Sequence, residues 1–461
     1  MNKKILLLYP PLNTHFITPP LGLGYLASYV EKNSPGTEIK LIDCNMEKYS
    51  NERLLAEIKS YAPGLVGFTI YTCFFNTTLN LIKAIKADNP GIKIVVGGPH
   101  PTALPEDTLG NANIDFVILG EGEETLLELI DNISLPQNYQ NIPGLAYKDN
   151  GKIRINQMRE NIKDLDSIPF PAWHFIPPDK YPRMPHGSIA KKYPLAPVVS
   201  SRGCPFLCSF CASEVVWKRK WRPRSPKSVV DEIELLKNEY GVKEIHFEDD
   251  NFTLDRNRAI KICEEIIKRK LDIAWSCPNG VRIDTMDEEL LQIMKRSGCY
   301  SLVFGFESGD PEILKRVNKR LDLSKVESVV RMTKKIGIRT TGFFIIGLPG
   351  ETKKSILKTV SLAKSLPLDR AQFGLFAPLP GSQDFDLWLK EQKPESIDWD
   401  KFDFYNVIYK LDDLSEEEVK YLQKFAFRAF YMRPRIILNI LRDIHVKELI
   451  PIIKRLKKIF Q

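Results

Sequence analysis

Three cysteines lie close together near the middle of the chain, at Cys204, Cys208 and Cys211, with the spacing C-x3-C-x2-C. Thiolates are soft ligands that suit iron–sulfur clusters. Three cysteines on one loop can bind three corners of an iron–sulfur cube, which leaves the fourth iron with an open position. The spacing therefore predicts a [4Fe–4S] cluster in which one iron is accessible to a small molecule.

A zinc site is the alternative interpretation of the same three cysteines. Structural zinc normally has four protein ligands, and no fourth Cys or His stands near the motif in the sequence. Zinc would need a distant ligand such as His186 or Cys277. Because an iron–sulfur cluster with an open iron needs no such residue, we favour the cluster.

A second group of residues stands where predicted strands of the same region end. Parallel strands end at one edge of a sheet, and such folds place their chemistry at the C-terminal ends of the strands. The residues concerned are Glu248, Asp249, Asp250, Glu307, Ser308 and Gly347. Each carboxylate could instead belong to a turn or to the N-cap of a helix. We expect Glu307 to be functional.

Glycine-containing turns form a third group, in the N-terminal part of the chain. They border predicted strands, where glycine permits tight turns and close approach of the backbone to a ligand. The turns contain Pro20, Leu21, Gly22, Gly97, Gly98, Gly120, Glu121 and Gly122. Three such turns in one predicted open sheet indicate a ligand-binding crevice beyond the strand ends.

The elements that must position these groups alternate between strand and helix along two stretches of the chain. In the first stretch, strands are predicted at 5–9, 38–43, 65–70, 93–97 and 116–119. In the second, strands are predicted at 197–200, 244–248, 273–277, 301–306, 341–346 and 371–375. This alternation predicts parallel sheets. We expect an α/β protein with a Rossmann-like parallel-sheet domain, a partial (β/α)6 barrel of the TIM type and a C-terminal helical tail.

Changes in composition set the expected domain boundaries. Residues 1–135 form the Rossmann-like domain, and residues 136–195 form a proline-rich linker with a short hairpin at 145–155. Residues 196–395 form the partial barrel. Residues 396–461 form a helical region that is basic and aromatic.

The cysteine motif, with Phe210 directly before its last cysteine, resembles that of the radical S-adenosylmethionine (SAM) superfamily. In that family the open iron chelates the amino and carboxylate groups of SAM, and electron transfer cleaves SAM to a 5′-deoxyadenosyl radical. The resemblance implies SAM contacts at Phe210 and Gly347 (adenine), at Glu248, Asp249 or Asp250 (amine), and at Glu307 and Ser308 (ribose or carboxylate). The family's usual Gly-Gly-Glu is absent, so the choice among the three acidic residues stays open.

The N-terminal turns resemble those of the cobalamin-binding domain that precedes the barrel in the cobalamin-dependent branch of the superfamily. The chain as a whole resembles the class B radical SAM methyltransferases of that branch. The resemblance covers about residues 1–375. It implies cobalamin contacts at Pro20, Leu21, Gly22, Thr69, Tyr71, Gly97, Gly98, His100, Gly120, Glu121 and Gly122. We interpret His100 as a polar residue of a turn near the ligand, rather than as a cobalt ligand.

One segment departs from the cobalamin-binding pattern. Many such domains carry Asp-x-His-x-x-Gly, and the histidine ligates cobalt. Here Asn45 stands where that histidine would be, and Lys48 replaces the glycine. Because members of the branch often lack this histidine, the resemblance still implies cobalamin, bound without a protein imidazole. The alternative is a domain that has lost cobalamin and is structural.

Composition favours a soluble protein of a reducing compartment. Hydrophobic residues make up 43% of the 461 positions and charged residues 27%, which is ordinary for a globular protein. The five cysteines outside the motif are scattered, unlike a disulfide framework. The apolar run at the N-terminus is too short for a signal peptide, and no stretch is long enough to span a membrane. We expect a cytoplasmic protein without an integral membrane segment.

The basic segments bear on the expected partners. The C-terminal helices are basic on one side and apolar on another, which leaves peripheral contact with an anionic membrane open. The interpretation we favour is a helix packed on the barrel with a solvated basic face. We interpret the basic run at 218–224 as a loop that frames the active site, not as a nucleic-acid site. The expected partners are a small-molecule substrate and a reductant such as flavodoxin or ferredoxin.

Together these features predict a cobalamin-dependent radical SAM methyltransferase that acts on an unactivated carbon. In the family, one SAM supplies the radical, cobalamin delivers the methyl group, and a second SAM restores methylcobalamin. One alternative keeps the cofactors without methyl transfer, as in enzymes that resemble the anaerobic magnesium-protoporphyrin ester cyclase or catalyse rearrangements. Another is a non-catalytic cofactor-binding or sensor protein.

Overall fold

The computed structural model describes residues 4–12, 14, 17–183 and 190–443. Its first sheet has seven strands in the order β2-β1-β3-β4-β5-β6-β7, and β1 to β5 run parallel. The strands are β1 (Lys4–Tyr9), β2 (Glu38–Asp43), β3 (Leu65–Thr69), β4 (Lys93–Gly97), β5 (Phe116–Ile118), β6 (Leu145–Asp149) and β7 (Lys152–Ile155). The five strands predicted here are confirmed to within one residue at either end.

Helices cover both faces of this sheet, so its central strands are apolar on both sides. Leu6, Leu7 and Leu8 of β1, for example, are all buried. The helices are α1 (Leu21–Asn33), α2 (Cys44–Glu47), α3 (Asn51–Tyr61), α4 (Phe75–Asp88), α5 (Pro99–Ala103), α6 (Pro105–Gly110) and α7 (Glu123–Asn132). The Rossmann-like arrangement expected from the sequence is therefore present.

The hairpin predicted at 145–155 is confirmed as β6 and β7, which pair antiparallel. Asn150 and Gly151 both have positive φ, 49° and 77°, as a tight two-residue hairpin turn requires. The hairpin does not stand alone in a linker, because β6 pairs with β5. This part of the predicted linker thus extends the edge of the N-terminal sheet.

The second sheet has six strands, all parallel, in the order β15-β14-β13-β12-β11-β8. Its strands are β8 (Leu195–Val198), β11 (Glu244–Phe247), β12 (Ala274–Val281), β13 (Cys299–Glu307), β14 (Arg339–Ile346) and β15 (Arg370–Leu375). Its helices are α8 (Ser213–Trp217), α9 (Pro226–Tyr240), α10 (Arg256–Lys268), α11 (Glu288–Arg296), α12 (Pro311–Arg316), α13 (Leu323–Lys335), α14 (Lys353–Ser365) and α15 (Gln383–Gln392). These six strands confirm the predicted partial barrel.

A short antiparallel pair, β9 (Ser201–Arg202) with β10 (Arg222–Pro223), was not predicted. It brackets the cysteine loop and α8, so both ends of the loop are fixed to each other. Two-residue strands are too short to show a hydrophobic period, so no sequence pattern marks them.

The segment between the two sheets ties them together. Trp173 is buried and donates from Nε1 to Glu232 on α9 at 3.2 Å. Tyr181 donates to the buried carboxylate of Asp43, at the end of β2, at 2.7 Å. Since these contacts reach both sheets, the segment fixes their relative position.

The C-terminal region adds α16 (Glu416–Tyr431) and α17 (Pro434–Asp443). Helix α16 packs on β15 and α14, and a complete capping box at Ser415 and Glu418 starts it. Within the described ranges, no helix is both long enough and apolar enough to cross a bilayer. The basic tail beyond residue 443 lies outside the described residues.

Candidate active site

A cavity of about 430 Å³ lies between the two sheets, at the C-terminal ends of their strands. Residues from β1, β3, β4 and β5 line one side, and residues from β8, β11 and β12 line the other. Ten of the residues with predicted cobalamin contacts line it, namely Pro20, Leu21, Gly22, Thr69, Tyr71, Gly97, Gly98, Gly120, Glu121 and Gly122. The three predicted turns thus meet in one place.

Gly98 shows why a glycine is needed at this edge. Its φ is +101°, and a Cβ there would stand 2.8 Å from Thr69 Oγ1 and 3.0 Å from the backbone N and O of Ile70. A side chain at this position would press on the end of β3, so the turn between β4 and α5 needs glycine. Gly98 itself lines the cavity.

Replacing Gly98 by alanine is expected to destabilise the protein by about 1–3 kcal/mol, because a positive φ and a backbone clash must both be relieved. Gly110→Ala is the matched control, since a Cβ at that helical position meets nothing within 4 Å. The check is the free energy of unfolding of both variants. Equal values would show that the Gly98 turn is not constrained.

His100 is the one predicted cobalamin contact that the structure does not place on the cavity. Its ring is buried against Phe75 and Trp399, with centroids 4.2 and 4.9 Å away, and Nδ1 lies 3.3 Å from Thr72 Oγ1. Burial lowers its pKa to about 4, so the ring is neutral. Because Trp399, from the C-terminal region, packs on the ring, His100 lies off the cavity lining, and its contact with cobalamin stays a prediction.

Asn45 has a structural role at the position where related domains carry a cobalt ligand. Its side chain accepts from Leu12 N and donates to Pro10 O, both at 2.7 Å, and it does not line the cavity. The residue therefore holds the loop that follows β1. A domain that offers no imidazole at this position is what both sequence-based alternatives expect.

The three motif cysteines lie on the loop between β9 and α8, half-buried and free of disulfides. Cys211 N donates to Cys208 O at 3.2 Å. Burial raises the pKa of Cys204 to about 11, with Asp250, Cys211 and Cys208 adding to the effect. Burial also raises the pKa of Cys208. The Cys204 and Cys208 thiols therefore resist ionisation unless a cation is bound, as expected of a site that releases protons when it is metallated.

The donor set suits a cluster better than a single ion. Among the described residues, no three His, Cys, Asp or Glu side chains gather as a site for one metal ion. A cubane presents a different iron to each thiolate, so its ligands need not converge on one point. Cys277, a suggested zinc ligand, is buried in β12 with Cys299 and Cys263 as neighbours, and His186 lies outside the described residues.

The side chains of the three acidic residues that follow β11 point to different sides of the chain. Glu248 and Asp250 line the cavity. Asp249 is fully buried and accepts from Ser200 N at 2.7 Å and from the Ser200 hydroxyl at 2.6 Å. Because successive residues of an extended chain point to opposite sides, Asp249 fastens β11 to the end of β8 while its neighbours face the ligand space. Of the three candidates for the predicted contact with the SAM amine, Glu248 and Asp250 are the two that line the cavity.

Asp250 opens onto the cavity but is closely surrounded by protein. Its side chain is exposed at the cavity, but desolvation by the surrounding protein and the nearby Asp249 carboxylate together raise its pKa to about 6, against the opposing effect of a hydrogen bond from the Gly203 N–H. A carboxyl held in this way gains from a cationic partner. An ammonium group of a ligand would supply one.

Glu307 ends β13 with φ +62°, a left-handed conformation rare for a residue with a side chain. Its carboxylate accepts from Lys319 Nζ at 2.8 Å, and both lie close enough to Cys208 to affect its pKa. Strained residues of this kind concentrate at functional sites. Lys319 was missed by the sequence analysis, because no strand-end motif marks it.

Ser308 does not face the ligand space. It is fully buried, lies 3.2 Å from the Thr359 hydroxyl and accepts from Asp310 N at 3.2 Å. These hydrogen bonds fix the turn that follows Glu307, and the contact of Ser308 with SAM stays a prediction. Phe210 is half-buried and packs against the core beside the cysteines.

Gly347 ends β14 with φ +91°. Its N–H and that of Leu348 donate to Oε2 of the buried Glu351, at 2.7 and 3.1 Å. Burial raises the pKa of Glu351 to about 8 despite these two hydrogen bonds. The side chain thus holds the glycine turn in its protonated form at neutral pH.

Because the folded pKa of Glu351 exceeds the ordinary value, the folded state binds this proton more tightly than the unfolded state does. Its contribution to stability is present at acid pH and is lost as pH rises toward 8. We expect Glu351→Gln to gain stability relative to the native protein as pH rises from about 5 to about 9, because only the native protein loses this contribution over that range. Thermal unfolding across this range checks it, and parallel curves would contradict the assignment.

A buried ion network links the cavity to the cysteine loop. Arg202 donates to Glu121 at 2.6 Å and to Glu123 at 2.7 Å. Arg222 donates to both oxygens of Glu121, at 2.8 Å in its shorter contact. The Arg202 guanidinium also lies over the rings of Tyr25 and Trp217. Glu121, predicted to contact cobalamin, thus lines the cavity while its carboxylate is held by the two arginines.

Three arginines of the basic run at 218–224 are directed into the protein, whereas Lys220 is exposed. Arg222 joins the network above, and Arg224 is buried against Glu232. Arg219 donates to Phe206 O at 2.8 Å, within the cysteine loop. These contacts agree with a loop that frames the site.

Two family sequence models match the chain: that of the radical SAM superfamily over residues 198–363, and that of the B12 binding domain over residues 12–130. An uncharacterized methyltransferase of Pyrococcus horikoshii is 36% identical over 96% of this chain and 95% of its own length. A cytidylyl-2-hydroxyethylphosphonate methyltransferase of Streptomyces wedmorensis is 30% identical over 83% of this chain and 80% of its own. An anaerobic magnesium-protoporphyrin IX monomethyl ester cyclase of Rubrivivax gelatinosus is 31% identical over 90% of this chain and 74% of its own length.

A solved structure shares the fold. The radical SAM methyltransferase TsrM of Kitasatospora setae, solved with cobalamin and a [4Fe-4S] cluster, superposes with a TM-score of 0.69 at 20% identity and covers 83% of this chain and 77% of its own. The matches of sequence and fold together cover the cavity and the cysteine loop. The chain belongs to the radical SAM superfamily, in the branch that carries a B12-binding domain, and it is an enzyme whose cofactors are SAM, a [4Fe–4S] cluster and cobalamin.

Proposed function

We propose that this enzyme methylates an unactivated carbon of a small-molecule substrate, with cobalamin as the methyl carrier. The observation that carries the proposal is the shared cavity, which Gly97 and Gly98 line from one domain and Glu248 and Asp250 from the other. When bound, the cluster and SAM supply one-electron radical chemistry, and cobalamin supplies a transferable methyl group. A single space lets both act on one substrate.

The residues of the chain have separate tasks in this proposal. Cys204, Cys208 and Cys211 hold the cluster. Glu248 and Asp250 accept hydrogen bonds from the SAM ammonium group, whose positive charge offsets the unfavourable desolvation of Asp250.

Other residues of the site orient ligands and exclude water. The Glu307–Lys319 pair presents one negative and one positive group beside Cys208. Apolar side chains at the strand ends, such as Leu7, Val95 and Ile118, form the wall on the cobalamin side. A dry wall strengthens the polar contacts of the site and limits side reactions.

The reductant and the location are part of the same proposal. The cluster needs an electron donor of low potential, and flavodoxin or ferredoxin supplies one. All eight cysteines are free, which supports a reducing compartment such as the cytoplasm.

The experiment uses anaerobically reconstituted enzyme, cobalamin, a low-potential reductant and SAM with a deuterated methyl group, with candidate substrates. Methyl transfer predicts a product that carries the labelled methyl, with 5′-deoxyadenosine and S-adenosylhomocysteine formed in equal amounts. Turnover that yields 5′-deoxyadenosine and a changed but unlabelled product would overturn methyl transfer.

Cyclisation without methyl transfer is the second candidate. The similarity to the Rubrivivax gelatinosus cyclase, over 90% of this chain, favours it. The same labelled SAM separates the two, because a cyclase leaves the substrate without a new methyl group. If no 5′-deoxyadenosine forms at all, the result would favour a non-catalytic sensor protein.

A further inference from the structure

A row of exposed apolar side chains follows one side of α16. Tyr421, Phe425 and Met432 are 63%, 37% and 69% exposed, and their spacing of four and seven residues places them on one face. The opposite face is already used, since Leu422, Ala426 and Phe430 are buried. The helix is therefore apolar on two sides, of which the described part of the chain covers one.

Helix α17 continues the feature. Ile437 and Leu438 are 41% and 55% exposed, whereas Ile436 is buried. We call the five exposed side chains, Tyr421, Phe425, Met432, Ile437 and Leu438, the docking face. A contiguous set of large exposed apolar residues marks a surface that contacts something else.

Exposed positive charge accompanies the docking face. Arg428, between Phe425 and Met432 on the same side of α16, is exposed, as is Arg435 on α17. In the sequence, residues 428–461 hold nine Lys and Arg against two acidic residues, a net charge of +7 of the +8 for the whole chain, and five of these nine basic residues lie outside the described residues. The exposed arginines favour an anionic partner for this face.

We propose that the docking face binds the surface of a lipid bilayer that contains anionic headgroups. Aromatic and aliphatic side chains beside basic groups suit the boundary between headgroups and acyl chains, and clustered lysines and arginines are attracted to anionic lipid. A second copy of this chain would place two surfaces of equal positive charge together, which is unfavourable. A nucleic acid would leave the aliphatic side chains without apolar contacts.

The position of α16 relates this surface to the active site. Val419, in the first turn of α16, lies 3.5 Å from where a Cβ of Gly347 would stand. The inner side of the helix thus touches the end of the strand that carries the predicted adenine contact. A bound bilayer would lie about one helix diameter, roughly 10–12 Å, from that point.

The test uses the full-length reconstituted protein and sucrose-loaded vesicles of phosphatidylcholine, with or without phosphatidylglycerol. We expect the protein to sediment with the anionic vesicles at low salt, with partitioning at least about tenfold above that with phosphatidylcholine alone. This binding should be lost at high salt, because the charges are then screened. The triple variant Tyr421→Ser/Phe425→Ser/Met432→Ser should lower vesicle partitioning about tenfold or more, because three apolar side chains no longer insert.

The matched control is Leu135→Ser/Ile155→Ser, which removes two side chains of similar exposure, 43% and 42%, on the N-terminal domain. It should sediment like the native protein, and thermal unfolding confirms that both variants are folded. No binding to anionic vesicles would overturn the proposal, as would binding that the triple variant leaves unchanged. A dimer in solution that the triple variant dissociates, without vesicle binding, would assign the face to a second copy instead.

Discussion

Replacing Cys208 by serine is expected to abolish SAM cleavage, a loss of about 10³-fold or more, because the hydroxyl is a poor ligand for iron and the radical chemistry belongs to the cofactor. The variant should bind less iron and sulfide after anaerobic reconstitution. Cys208 is half-buried on the loop, so the substitution leaves the core intact. The measurements are the iron content, the visible absorption of the cluster and the yield of 5′-deoxyadenosine.

Cys73→Ser is the matched control for that experiment. Cys73 is also a free, half-buried cysteine, but it lies in the N-terminal domain after β3. It should keep full iron content and activity. If Cys208→Ser retained the native iron content, or if the purified protein held stoichiometric zinc instead, the cluster assignment would be wrong.

Removing the guanidinium of Arg202 is expected to have the largest effect on stability. Arg202→Met leaves the Glu123 carboxylate, only 5% exposed as a side chain, without its partner. Breaking a buried ion pair on one side costs about 3–5 kcal/mol, since an uncompensated charge remains buried. The free energy of unfolding measures this loss.

The loop that contains Arg202 offers its own control. Lys220→Met removes the ion pair with Glu160, whose two side chains are 58% and 74% exposed. Surface pairs contribute less than about 1 kcal/mol, so this variant should unfold almost like the native protein. In a further variant, Arg202→Met/Glu123→Leu, part of the lost stability should return. Equal losses for Arg202→Met and Lys220→Met would show that the network has no special role.

The strands and the cysteine loop could be predicted because their signals are local. The strand at 38–43 follows from an apolar run, and the hairpin at 145–155 from Asn150 and Gly151. The three glycine turns were expected at one edge because parallel strands end together, and they do line one cavity. Spacing alone predicts Cys204, Cys208 and Cys211 as the cluster ligands, since ligand chemistry limits what such a triplet does, and that assignment stays a prediction.

The rest depended on contacts between distant parts of the chain. The sequence does not show that Trp399 covers His100 or that Arg202 reaches Glu121, because neither pair shares an element. Asp249 and Ser308 looked equivalent to their neighbours at the strand ends, yet each is held by hydroxyl groups elsewhere. Lys319 was missed for the same reason: its partner, Glu307, is known only once the strand and the following loop are in place.

The packing of Trp399 against His100 and Phe75 also bears on how the protein is made. The first sheet is complete when residues 4–155 have been synthesised, but this side of it waits for a tryptophan encoded after the whole barrel. Domains generally fold in order from the N-terminus during translation. The nascent N-terminal domain therefore leaves the ribosome with an apolar patch open to chaperones, and the patch closes only near the end of synthesis.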